Sequence, residues 1–167
     1  PTAETEAATA SSPSAPAARR RVTAWGLTAL LIVLVQVAVR WWSSSGLDSY
    51  HDDVNLTYIA LDGQLDAQYL LGQYAAHFGP VNRFIMWLVV HGAPFDAGVA
   101  YATVIALMVV GDIGMLLALR AIFGARWLTL GLFAFWAFNP VTVVVIGEWS
   151  LGLIVVPVLA ASAWTVY

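Results

Sequence analysis

Apolar residues in this chain come in long unbroken runs separated by short polar breaks. Residues 22–39, 97–119, 127–146 and 150–167 are almost wholly apolar. A helix of about 20 apolar residues matches the roughly 30 Å hydrocarbon core of a bilayer. The pattern therefore predicts an all-α, polytopic transmembrane helix bundle of about four spans. The first span takes in 22–42, because Trp41 and Trp42 close it with the aromatic pair that a membrane interface favours. A basic stretch ahead of an apolar run also fits a signal anchor, but this run is long for a cleaved signal and lacks a small-residue cleavage site. Spans two, three and four fall at 97–119, 127–146 and 150–167. Asn139-Pro140 interrupts the third and Pro157 lies inside the fourth. The apolar run at 81–90 is too short to cross and predicts an interfacial or re-entrant helix over 81–91.

The segments between the spans carry the polarity. Residues 1–21 begin with Ala, Ser, Thr, Pro and Glu and end in Arg19, Arg20 and Arg21. They offer no bulky apolar side chain to offset the entropy of ordering, and a disordered tail is expected. Residues 43–96 form an acidic loop with short helices. Its first part, 43–80, holds Asp48, Asp52, Asp53, Asp62 and Asp66 and contains no arginine or lysine. His91-Gly92-Ala93-Pro94 marks a break, with Pro94 expected to open the next helix. Arg120 and Arg126 bracket a short turn.

Composition sharpens this picture. Of 167 residues, 60% are hydrophobic and 10% charged, with a mean hydropathy of +0.79. Soluble domains carry roughly 25% charged residues, so lipid must be part of this chain's solvent. The absence of cysteine excludes disulfides and thiolate chemistry, and the absence of lysine argues against nucleic-acid binding. If the spans alternate, Arg19, Arg20, Arg21, Arg120 and Arg126 share one side, and only Arg40 and Arg83 lie on the other. The positive-inside rule then predicts a multi-pass cell-membrane protein with a cytoplasmic N-terminus and the 43–96 loop outside. The chain starts at Pro1 and ends at Tyr167 within an apolar run, as expected of a piece of a longer protein.

Four places could carry chemistry. Tyr50-His51-Asp52-Asp53-Val54-Asn55 puts adjacent carboxylates just beyond a span, where one could serve as general base or bind a divalent cation. In a helix the two point about 100° apart, so one alone would face a given substrate. The plain alternative is a solvated acidic loop that caps a short helix. His77 and Arg83 form the second group. An arginine on the non-cytoplasmic side, against the charge bias, suits an anionic headgroup or phosphate, or snorkels to lipid headgroups. Asp112, in Gly111-Asp112-Ile113-Gly114, is an ionisable group inside a span. Such residues usually face a bundle interior or an aqueous path, and the flanking glycines permit close helix approach. Glu148, in Gly147-Glu148-Trp149, would return a carboxylate to the same outer face as Asp52 and Asp53. No phosphate-cradling glycine loop, HExxH or serine elbow is present.

The order of these features resembles the N-terminal part of the polytopic glycosyltransferases that use lipid-linked sugar donors, the GT-C superfamily. It is similar to large actinobacterial membrane proteins of that type. Four passages from residue 22 onward carry the likeness: His51-Asp52-Asp53; Ala76-His77-Phe78-Gly79-Pro80-Val81-Asn82-Arg83; Ala93-Pro94-Phe95-Asp96; and the aromatic span that reaches Asn139-Pro140. The resemblance implies that Asp52 or Asp53 acts as catalytic base or cation ligand. It also implies that His77, Arg83 and Glu148 engage substrate, with a polyprenyl-phosphate-linked sugar as donor. Gly147-Glu148 departs from the family pattern, which usually has aspartate in the second outer loop. No cofactor is expected beyond a divalent cation at Asp52 and Asp53. A transporter or flippase subunit working through Asp112, and a non-catalytic multi-pass scaffold, are the competing expectations.

Overall fold

The computed structural model describes residues 15–46, 51–73, 78–140, 142 and 147–167, with side chains described from Thr23 in the first helix and from Asp53 in the second. His77 and Asp48 lie outside the described residues, as does the side chain of Asp52. The described residues are helical with no strand, in agreement with the all-α expectation. We number the helices α1 (Ala15–Ser44), α2 (His51–Asp62), α3 (Ala67–Leu71), α4 (Pro80–Gly92), α5 (Ala97–Phe123), α6 (Trp127–Ala137) and α7 (Trp149–Val166).

Among the described residues three helices are long and apolar enough to cross a membrane: 22 residues of α1 (Thr23–Ser44), the 27 of α5 and the 18 of α7. At 1.5 Å per residue these reach roughly 33, 40 and 27 Å. Leu27, Leu30, Leu31 and Leu34 of α1 and Leu128 and Phe135 of α6 are exposed, more apolar surface than water would tolerate. Lipid covers it.

Three boundaries differ from the sequence reading. First, α1 begins at Ala15, so helix extends through Arg19–Arg21 into the part expected to be disordered. Alanine and arginine are strong helix formers, and adding turns to a formed helix avoids the cost of nucleation. Second, α6 ends at Ala137 after 11 residues, about 16 Å, short of a full crossing. Pro140 has no N–H to give the Trp136 carbonyl, which accepts from the Asn139 N–H instead (3.2 Å). Third, α5 opens on Asp96 rather than Pro94. The Asp96 carboxylate accepts the Val99 N–H (3.0 Å), an ordinary N-cap. Pro80, by contrast, does open α4, the expected short amphipathic helix.

The helices form a bundle and a cap. In the bundle α5 packs along α7 as its most extensive pairing, and α1 lies against α5 and α6. The cap is α2, α3 and α4: α4 packs against both α2 and α3, α2 and α4 rest on α7, and α4 also meets α5. A single apolar core joins the two, running from Leu56, Ala60 and Met86 in the cap to Val104, Met108 and Leu153 in the bundle. At the opposite end the Trp25 indole donates to the Arg126 carbonyl (3.0 Å) and Arg120 lies over its ring. The α5–α6 turn therefore sits beside the start of the apolar span of α1, Thr23–Ser44. Gly124 makes that turn possible, with φ of 74° and its N–H bonded to the Arg120 carbonyl.

The glycines around Asp112 do what their spacing suggests. A Cβ on Gly111 would stand 3.3 Å from both Cα and Cβ of Ala160, and one on Gly114 would stand 2.8 Å from the Trp164 ring. Gly111→Leu should force α5 from α7 and cost about 3 kcal/mol, against about 1 kcal/mol for Gly111→Ala. Thermal denaturation of the two variants in detergent would check the order.

Candidate functional site

Asp53 fixes the site. It is 2% exposed, on the face of α2 that meets α7. Its Oδ1 accepts the Ser150 N–H at 2.8 Å and its Oδ2 accepts the Trp149 N–H at 3.2 Å. Those are the first two N–H groups of α7, which have no partner within the helix, and a negative charge there complements the helix dipole. Glu148 stands at the N-cap position but makes no side-chain cap of its own. The carboxylate that caps α7 comes from α2, 96 residues away in the chain.

This clasp joins the two acidic segments. Glu148, half-buried, accepts a bond from the Ser150 hydroxyl (3.4 Å), the residue whose N–H is held by Asp53. Thr57, one turn along α2, donates its hydroxyl to the Asp53 carbonyl (2.7 Å). The expected base thus uses both oxygens to hold two helices together, and burial keeps it from bulk solvent. Among the described residues no three His, Cys, Asp or Glu side chains gather as metal ligands do.

Arg83 stands apart from the clasp, on α4 against α3. Its Nη1 donates to the Tyr69 carbonyl (3.0 Å), its guanidinium lies 5.2 Å from the Tyr69 ring centroid, and the Tyr69 hydroxyl returns a bond to the Arg83 carbonyl (3.2 Å). Burial pushes the Tyr69 phenol above its usual range, while the Arg83 charge pulls it down. Half-buried, Arg83 keeps further donors on its planar fork while stacked on tyrosine.

A second polar cluster, deeper among the spans, was only partly visible in the sequence. Gln36 (2% exposed) and Arg40 (3%) on α1 face Asp112 (3%) on α5. Gln36 Nε2 donates to the Ala137 carbonyl (3.0 Å). Arg40 Nη2 donates to the carbonyls of Ala137 and Asn139 (3.3 Å each) and to the Thr142 hydroxyl. Pro140 creates the need for these bonds. It ends α6 inside the bundle, and the terminal carbonyls then take donors, including a positive charge, from α1. Asp112 Oδ1 accepts the Trp136 indole N–H (3.2 Å). Asp112 therefore faces the bundle interior as expected. Arg40, counted in the sequence among the arginines of the outer side, is a buried cap for a broken helix.

The fold and these clusters define a helical membrane protein with a capped end. Compared with known protein families, characterised proteins and solved structures, the chain matches none.

Proposed function

We propose that this chain belongs to a membrane glycosyltransferase that moves a sugar from a polyprenyl-phosphate donor to an acceptor outside the cytoplasm. The observation that carries the reading is the Asp53 clasp, which brings the acidic segment of α2 and Glu148 to one end of an apolar bundle. That end would be extracytoplasmic. The opposite end holds the Arg120–Arg126 turn beside the start of the α1 span at Thr23–Ser44, as the positive-inside rule asks of a cytoplasmic face.

In this reading Asp53 is a positioning residue. Asp52 or Glu148 takes the proton of the acceptor hydroxyl as its oxygen bonds to the anomeric carbon. The anomeric carbon–phosphate oxygen bond breaks, and the polyprenyl phosphate leaves with the electron pair. Arg83 and His77 would hold that phosphate, the guanidinium by its remaining donors. Positioning and charge stabilisation supply most of the rate. The test is sugar transfer by the full-length protein in membranes. Removing the general base, by Asp52→Asn or Glu148→Gln, should slow transfer about 100-fold or more at normal expression. Full transfer by both single variants and by the double variant would refute the assignment.

The polar cluster at Asp112 favours a second reading, a transporter or flippase subunit, since buried ionisable groups in spans commonly mark substrate or proton paths. Loss of function in Asp112→Asn, with Asp52→Asn and Glu148→Gln intact, would decide for transport.

A further inference from the structure

Beside Asp112 lies a small cavity of about 20 Å³, lined by Gln36, Met108, Asp112, Trp136, Thr142 and Ala160 among others. Its polar wall is unusual. Asp112 Oδ2 and Gln36 Oε1 are both buried and without a hydrogen-bond partner, on side chains 97% and 98% removed from solvent. Two orphaned acceptors at this depth would each cost on the order of 1–3 kcal/mol if nothing donated to them.

We infer that this cavity is a binding site for a single water molecule, which donates one hydrogen to Asp112 Oδ2 and the other to Gln36 Oε1. Three features select water. The volume has room for about one molecule of that size. Both orphans are acceptors, so the ligand must donate twice, as water does. Arg40 puts a positive charge in the same cluster, which disfavours a metal cation, and the wall offers too few oxygens to replace a cation's hydration shell. The Thr142 hydroxyl does not compete, because it already receives Arg40 and donates to the Asn139 carbonyl (2.6 Å). The site ties α1 to α5 and gives the carboxylate a partner with an exchangeable proton inside the bundle. It does not depend on the transferase reading.

Hydroxyl-radical labelling by X-ray radiolysis of the full chain in lipid nanodiscs tests the site, because radicals form on bound water as well as in bulk. Met108 lines the cavity and is 7% exposed. Met115, two turns along α5, is outside the cavity wall and more accessible. Water in the cavity should oxidise Met108 about fivefold faster than Met115, inverting their order of exposure. Met108 labelled no faster than Met115 would overturn the inference. Gln36→Leu, which removes one acceptor, should bring the Met108 rate down to that of Met115. An unchanged rate would mean that labelling does not come from a water held by Gln36, and would overturn it as well. The wild-type comparison decides by itself if Gln36→Leu does not fold.

Discussion

Asp53→Ala should lower the stability of the folded chain by about 3 kcal/mol, roughly 10 °C in the thermal midpoint for a chain of this size. The substitution strips two charge-assisted hydrogen bonds from the Trp149 and Ser150 N–H groups. Those donors stay buried at the start of α7, where no other capping side chain replaces the carboxylate. Asp53→Asn should fall between. The asparagine oxygen can still accept from Ser150, but its amide N–H₂ meets the Trp149 N–H donor to donor. Asp52→Asn should leave the midpoint nearly unchanged, because the clasp takes both of its bonds from Asp53. Thermal unfolding in one detergent orders the four proteins. A midpoint for Asp53→Ala within about 2 °C of wild type would mean that α2 and α7 do not depend on the clasp. The same series separates two kinds of loss in a transfer assay. Asp53 variants should lose activity in step with stability, whereas a base variant loses activity at a normal midpoint.

The bundle and its lipid setting were legible in the run lengths, since only helices of about 20 apolar residues satisfy their own backbone across hydrocarbon. The short helix at α4 was equally plain, with Pro80 at its start and ten apolar-rich residues behind it. The close approach of α5 could be read from Gly111 and Gly114, which stand where the structure brings Ala160 and Trp164 near. The site was legible in its parts but not in its roles. An aspartate pair in a loop looks the same whether a carboxylate awaits a substrate or caps a helix from afar. The partner of Asp53 lies 96 residues on, and no local spacing encodes that distance. The role of Arg40 was hidden for a related reason. It stands at the border of an apolar run, and its burial follows only once Pro140 has ended α6 within the bundle. A signal was present all the same. A proline inside a span leaves carbonyls unpaired, and those must find donors from neighbouring helices. Gln36 and Arg40, one turn apart on one face of α1, were the matching donors.

Arg40→Leu should be among the most damaging single changes in the bundle, at about 3–5 kcal/mol. It removes the donors held by the Ala137 and Asn139 carbonyls, and it deletes the positive charge that faces Asp112 in a low-dielectric interior. Gln36→Leu makes the contrast. It loses one neutral bond to a carbonyl that Arg40 still serves and the amide's contact with the Asp112 cavity, and should cost about 1–2 kcal/mol. The electrostatic part of the Arg40 effect can be isolated with Asp112→Asn, which keeps an acceptor for the Trp136 indole while deleting the charge. If Arg40 and Asp112 stabilise one another, Arg40→Leu will cost less in the Asp112→Asn background than in wild type, with a coupling of about 1–3 kcal/mol. Strict additivity would instead assign the whole Arg40 effect to the carbonyls at the end of α6. Its role would then be that of a helix cap, and Asp112 would be held by Trp136 and its cavity partner without help from the arginine's charge.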